Sequence, residues 1–152
     1  MNISTEEIRS LRNETGLSVM ECRKALEEAQ GDRAKALEVL KARGAAIAAK
    51  KSDRALGAGA VVAYIHADGT VGAMIELSSE TDFVAKNPEF KKLAYEIAMH
   101  IAAMNPADVG ELLDQEYIKD SSKKITDLVN GAIQKFGERT EIRRFARFSS
   151  AD

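Results

Sequence analysis

Leu77-Ser78-Ser79-Glu80-Thr81-Asp82-Phe83-Val84-Ala85-Lys86-Asn87-Pro88 is the stretch on which the reading of this chain turns. An apolar, strand-like run ends near Leu77 and a polar corner follows over residues 78–82. Asn87-Pro88 then starts a helix, an N-cap followed by proline at the first helical position. Phe83 sits between strand and helix. An aromatic ring at the tip of such a corner is either folded back into the core or offered to a partner. Burial statistics favour the core for a phenylalanine. The crowding of Ser79, Glu80, Thr81 and Asp82 just before it favours a projecting tip.

Upstream of the corner the pattern predicts a β-hairpin. Val61, Ala63 and Ile65 alternate with Val62, Tyr64 and His66, Ala67-Asp68-Gly69-Thr70 supplies the turn, and Val71, Ala73, Ile75 and Leu77 form the more apolar face of the return strand. Downstream, Phe90, Leu93, Ala94, Ile97, Ala98, Ile101 and Ala102 make a helical stripe that ends at Met104. A second Asn105-Pro106 pair opens a short segment to Leu113. Ile125, Leu128, Val129, Ala132, Ile133 and Phe136 form another amphipathic helix, stopped by Gly137. Residues 140–148 read as a last strand. Strict alternation puts Phe145 on the face opposite Ile142, Ala146 and Phe148, so this strand is expected to be covered on both sides.

The first third of the chain predicts three helices. Ser4 with Glu7, and Ser18 with Glu21, are capping-box pairs. Ile8 and Leu11, then Val19, Cys22, Ala25, Leu26 and Ala29, then Ala36, Leu37, Val39 and Leu40, recur at helical spacing. Thr15-Gly16-Leu17 breaks the first helix, Gly31 sits where a left-handed cap belongs, Asp32 caps the third helix, and Gly44 is expected to close it. Helices of about 10 to 12 residues are marginal alone, so turns this tight imply a compact bundle. For the turn at Leu17, Val19 and Met20 two readings stand, a binding edge that uses the adaptable methionine or plain core packing. Residues 45–56, alanines followed by Lys50-Lys51-Ser52-Asp53-Arg54, read as a helical or partly ordered connector.

Composition narrows the function classes. A chain of 152 residues with 45% hydrophobic and 30% charged residues is ordinary for a folded cytosolic protein. A net charge of −2 gives no global electrostatic case for nucleic acid or membrane surfaces. The single Cys22 makes no internal disulfide, which fits a reducing compartment. Residues 1–7 read as a helix start rather than a leader, and residues 58–65 are far too few to span a bilayer, so a cytoplasmic location is expected. His66 and His100 have no cysteine cluster near them, and no glycine loop of the phosphate-cradling type is present, so neither a metal site nor enzymatic chemistry is expected. The basic residues between Lys41 and Arg54 lack aromatic stacking partners and read as a solvated face. Arg139, Arg143, Arg144 and Arg147 suggest phosphate contacts, but interleaved with Phe and Ile they fit snorkelling side chains better.

Thr81-Asp82-Phe83-Val84-Ala85-Lys86-Asn87 resembles the signature of bacterial elongation factor Ts, the nucleotide-exchange factor of elongation factor Tu. Leu11-Arg12, Thr15-Gly16, residues 20–26 and Gly31-Asp32 are similar to the same family's N-terminal domain. Residues 98–102 with Asn105-Pro106, Leu112-Leu113-Asp114-Gln115, Gly137-Glu138-Arg139 and residues 143–148 are similar to its core. The resemblance implies an α+β fold: a three-helix, ubiquitin-associated-like domain over residues 1–52, with a connector from about residue 45, and then a core (dimerisation) domain over residues 53–152, in which a three-stranded antiparallel sheet packs against helices. It also implies a factor that binds elongation factor Tu in its GDP-bound and nucleotide-free forms, with no cofactor, metal or nucleic acid of its own. Phe83 would be a wedge that disturbs the partner's magnesium site, with Asp82 its polar companion, Thr81 and Val84 holding the corner, and Arg12, Val19 and Met20 gripping from the bundle. The family often carries two methionines where Val19 and Met20 stand. Its members usually place a long helical stretch where only residues 107–111 lie here, and shorter relatives are implied to pair, so a homodimer through the last strand and its sheet is expected. Two other classes compete. A ubiquitin-associated-type adaptor that binds a helix or peptide through the N-terminal turn would leave Phe83 in the core, and an RNA- or ribosome-binding module would rest on the arginine-rich end.

Overall fold

The computed structural model describes residues 2–151, which form seven helices and five strands. The first three helices are α1 (Thr5–Thr15), α2 (Val19–Glu28) and α3 (Arg33–Lys50). Both capping boxes form as the sequence predicts. The Glu7 N–H donates to Ser4 Oγ at 3.1 Å while the Glu7 carboxylate accepts the Ser4 N–H at 2.9 Å, and Ser18 and Glu21 repeat the exchange at 3.2 Å each way. Asp32 caps α3 through the Lys35 N–H at 3.1 Å. Leu11, Leu17, Cys22, Ala25, Leu26, Ala29, Ala36 and Leu40 close into one buried cluster between these helices.

Gly44 does not end α3, contrary to the sequence expectation. The helix runs through it for another turn and a half, and Ile47 and Ala48 on that extension pack against a second, larger apolar cluster. Gly44 is buried where α3 crosses a later helix, α7 (Ile125–Phe136). A Cβ at this position would lie 3.0 Å from Gln134 Oε1 and 3.5 Å from the Asn130 carbonyl oxygen. The glycine thus sits inside a helix crossing with room for little more than a Cβ, while its helical neighbours carry the chain onward.

The larger cluster lies under a three-stranded antiparallel sheet of order β1-β2-β5, built from β1 (Ala58–Ile65), β2 (Val71–Ser79) and β5 (Glu141–Ser149). The hairpin turn is held by Asp68, whose Oδ1 accepts from Thr70 N–H and Oγ1 at 3.0 and 2.7 Å, with Gly69 in the left-handed region. Helix α5 (Pro88–Met104) presents Phe90, Ala94, Ile97, Ala98 and Ile101 to the inner sheet residues Ala60, Ala73, Ile75, Leu77 and Ile142. Asn105 closes α5 in the left-handed conformation instead of opening the next segment; Asp108 caps α6 (Val109–Asp114) in its place. A small hairpin, β3 (Glu116–Tyr117) and β4 (Asp120–Lys124), follows α6. It is pinned by fully buried His100, whose Nδ1 accepts the Ile118 N–H at 3.1 Å. The hydrogen therefore sits on Nε2, which donates to Gln115 Oε1 at 2.9 Å. Burial pushes the pKa of His100 down.

The last strand departs from strict alternation. Leu77 pairs with Ile142 but Glu76 pairs with Arg144, so Arg143 is an extra residue in β5. The bulge returns Phe145 to the same face as Ile142, opposite Ile75, and leaves Ala146 and Phe148 on the other face, so apolar residues do lie on both faces but in a different division from the one strict alternation gives. Phe148 ends on the outer face, 78% exposed, with exposed Val61, Ile65 and Met74 on neighbouring strands. Among the described residues no helix is long and apolar enough to cross a membrane.

Gly44→Val, which sets a branched side chain against the Asn130 carbonyl, should destabilise the protein by about 1–3 kcal/mol in urea unfolding. Gly44→Ala meets mainly the movable end of Gln134 and gains helix propensity, so its effect should stay within about 1 kcal/mol.

Candidate functional site: the 81–84 corner and the exposed start of α2

The corner is a single helical turn, α4 (Asp82–Ala85), inserted between β2 and α5. Thr81 is its N-cap, with extended backbone and a side-chain oxygen that accepts the Val84 N–H at 3.4 Å. Lys86 N–H donates to the Asp82 carbonyl at 2.9 Å and Asn87 N–H to that of Val84 at 3.0 Å. Asn87 Oδ1 then accepts the Glu89 N–H at 2.8 Å to start α5. Two helices thus meet within a few residues. No local pattern signals α4, because four residues are too few for a periodicity.

The helical turn sorts its side chains. Val84 and Ala85 point inward and are buried, Val84 to 4% exposure, and this turns Asp82 and Phe83 outward. Phe83 is 86% exposed. A buried Phe side chain is worth about 1.5–3 kcal/mol relative to an exposed one, and at this position that stabilisation is left unused. The structure settles the choice left open by the sequence: the ring is on the tip. It also removes the premise of the adaptor reading that Phe83 belongs to the core.

One residue that the sequence reading quoted but gave no role braces the corner. Glu138, just after the left-handed cap Gly137 of α7, accepts the Glu80 N–H at 3.2 Å and the Thr81 N–H at 3.0 Å on Oε1, and the Thr81 hydroxyl at 2.7 Å on Oε2. Glu80 Oε2 in turn accepts the Arg139 N–H at 2.6 Å, while Arg54 Nη1 approaches Glu80 at 3.5 Å and Arg139 Nη1 donates to the Arg54 carbonyl at 2.6 Å. No sequence signal links positions 26 to 85 residues apart, so this lock is visible only in three dimensions.

On the bundle side the structure divides the α1–α2 turn. Leu17 is buried in the small core, whereas Val19 and Met20 at the start of α2 are exposed, Met20 to 62%. Arg12 lies exposed in the last turn of α1. Lys135 connects this turn to the corner's side of the molecule: it pairs with Glu89 in the first turn of α5 and packs against Gly16. Its ammonium holds the Glu89 carboxyl below the usual carboxylate range.

Among the described residues no group of three or more His, Cys, Asp or Glu side chains could hold a metal ion. His66 is exposed, with Nδ1 3.0 Å from the Tyr64 hydroxyl, and buried Cys22 has its thiol pKa raised by burial, the wrong direction for a nucleophile. The C-terminal arginines do not form a cluster. Arg144 pairs with Glu76 at 2.7 Å on the outer face, Arg147 Nε donates to the Ala102 carbonyl at 3.0 Å, and Arg139 is held in the lock described above.

The fold is a helical bundle tied to an α+β unit, and its corner presents a braced, exposed aromatic. Comparison with known sequences gives the family. The family model described as Elongation factor TS matches residues 80–152, which include the corner, α5 to α7 and β5. Elongation factor Ts of Thermotoga neapolitana is 39% identical over 191 aligned positions, covering 97% of this chain and 97% of that protein. Because 191 positions exceed the 152 residues of this chain, that relative carries residues this chain lacks. The proteins of the same name from Trichlorobacter lovleyi and Clostridium acetobutylicum are 43% and 45% identical over 99% and 97% of this chain, which spans about half their length, 48% of each. The chain belongs to the elongation factor Ts family, whose members serve translation elongation.

Exposure makes the stability effects of neighbouring residues diverge. Phe83→Ala should change unfolding free energy by no more than about 0.5 kcal/mol. Val84→Ala, one position on, should cost about 2 kcal/mol in the same chemical denaturation experiment.

Proposed function

We propose that this chain is a guanine nucleotide exchange factor for elongation factor Tu, acting by binding rather than by covalent chemistry. The observation that carries this reading is the 86% exposure of Phe83 on a corner whose Glu80 and Thr81 amides are held by Glu138. An exchange factor must bind the nucleotide-free or distorted partner better than the GDP-bound one, and linkage then weakens GDP binding by the same factor. Each ~1.4 kcal/mol of differential binding is worth about tenfold in affinity. Burying one phenylalanine ring in the partner supplies roughly 1.5–3 kcal/mol, enough for a large share of the effect.

In this reading Phe83 inserts into the nucleotide domain of elongation factor Tu and disturbs its magnesium and phosphate site, so that GDP leaves and GTP loads. Asp82 is the polar companion of the ring, and Thr81 and Val84 keep the shape of the corner. Arg12, Val19 and Met20 grip the same domain from residues 1–52, a bundle of ubiquitin-associated type, while residues 53–152 form the core domain. The factor works in the cytoplasm and needs neither cofactor nor nucleic acid. Two copies pair through the outer face of the sheet. Its exposed Val61, Ile65, Met74 and Phe148 form a side of the sheet that this chain leaves uncovered, and the relatives of twice its length make room for a second unit within one chain.

Release of fluorescent GDP from elongation factor Tu tests the central point. The wild-type chain should accelerate release, and Phe83→Ala, still folded by circular dichroism, should be slower by about tenfold or more, as expected for losing a buried ring. If folded wild-type protein leaves release unchanged, the exchange reading fails. Exposed Val19 and Met20 would then favour the adaptor reading.

Pairing is tested separately. Wild-type protein should sediment as a dimer at micromolar concentration, and the double variant Val61→Asp with Phe148→Asp should sediment as a folded monomer. A monomeric wild type would refute the dimer.

A further inference from the structure

We infer that Glu138 is a positioning residue for exchange, one whose single carboxylate presets the corner that presents Phe83. The inference deepens the exchange reading and rests on it for its functional arm.

The β1–β2 ladder ends at Ser79 and the β2–β5 ladder at Ser78, so the next two amides, of Glu80 and Thr81, have no strand partner. Glu138 accepts both on one oxygen and takes the Thr81 hydroxyl on the other. Hydrogen bonds to an ionised carboxylate are shorter and stronger than neutral ones. A hydroxyl has one proton to give. With that proton directed at Glu138, the Thr81 oxygen is left with its lone pairs free to meet the Val84 N–H, which it does at the long distance of 3.4 Å. The orientation that caps α4 is therefore set by Glu138.

Helix α4 needs this support. Four residues make one turn, and a turn that short does not persist by its own propensity. Its two inward residues fix depth, but Phe83 contributes little packing of its own. Glu138 is in a position to hold it because it follows Gly137, the left-handed end of α7, while Ile133 one turn earlier is buried in the core. The reciprocal bond from the Arg139 N–H to Glu80 closes the pair of loops on each other. The chain of dependence runs from the end of α7 through Glu138 and Thr81 to α4 and the ring.

The test compares Glu138→Ala, Glu138→Gln and Thr81→Val with wild type, reading amide hydrogen exchange by NMR and GDP release from elongation factor Tu at increasing factor concentration. In Glu138→Ala the amides of Thr81 and Val84 should exchange at least about tenfold faster, while those of Ile75 and Leu77 keep their protection. The maximal release rate should fall about tenfold, since a loose corner must be ordered on insertion, with the half-saturating concentration changed less than about threefold. Glu138→Gln should stay within about threefold of wild type, because its carbonyl oxygen still accepts the amides and its NH2 can donate to the Thr81 oxygen. Thr81→Val loses the hydroxyl alone and keeps both amide bonds to Glu138, so it should speed exchange of the Val84 amide at least about tenfold while the residue-81 amide keeps its protection, which keeps the test open if Glu138→Ala does not fold. Unchanged protection of Thr81 and Val84 in folded Glu138→Ala, or of Val84 in folded Thr81→Val, would overturn the proposal. So would loss of protection shared equally by Leu77, or lost corner protection with an unaltered maximal rate. If wild type itself does not accelerate release, the exchange reading falls and the amide protection alone decides whether Glu138 sets the corner.

Discussion

A phenylalanine ring held in water is not kept there by its own contacts, so its neighbours must hold it. That constraint organises this molecule. Phe83 stays out because Val84 and Ala85, on the opposite side of the same turn, are buried under the sheet, and because the backbone before it is bonded to Glu138. β2 delivers the chain to the corner, α5 takes it away under a cap at Asn87, and the loop between α7 and β5 clamps it from the side. Such preorganisation matters for a binding tip, since a segment ordered in advance loses less entropy when it docks.

The same helix that ends in the clamp also receives the N-terminal bundle. α3 passes over α7 at Gly44, where there is no room for a large side chain, and Lys41 reaches Asp127 at 3.6 Å and the Ser122 carbonyl at 3.0 Å. Lys135 near the far end of α7 touches both the Gly16 turn and Glu89. The exposed start of α2 and the corner are thus both referred to α7, which serves as a common frame for the two surfaces proposed to meet the partner. A bundle joined to the sheet only by a loose connector would have to find its orientation anew at each encounter. Here α3 itself crosses from one apolar cluster to the other.

Much of this fold could be read from residues in a row. Caps at Ser4, Ser18, Asp32 and Asn87, the stripe from Phe90 to Ala102, the turn at Asp68-Gly69 and the stop at Gly137 are local signals, and each formed where the sequence placed it. What escaped was set by distant neighbours. Gly44 reads as a helix stop until α7 is seen against it. Phe145 falls on the wrong face until one extra residue, Arg143, is counted against Glu76 and Leu77 across the sheet. β4, Asp-Ser-Ser-Lys-Lys, has no apolar alternation and is fixed by pairing with β3 and by the buried His100 nearby. At the site the corner itself was legible, as was the family. The side Phe83 faces was not, because it depends on which residues of α4 the sheet accepts, and Glu138 was not, because its partners lie 57 and 58 positions away.

The most direct measurement is fluorine NMR of the chain labelled throughout with fluorophenylalanine, recorded as nucleotide-free elongation factor Tu is added. Assignment by single Phe→Leu variants identifies the signals of Phe83 and of Phe90, which is fully buried under the sheet. The account predicts that the Phe83 signal moves and broadens on complex formation, as a ring does on leaving water for a protein interior, while Phe90 keeps its shift. A complex that forms with the Phe83 signal unmoved would contradict it.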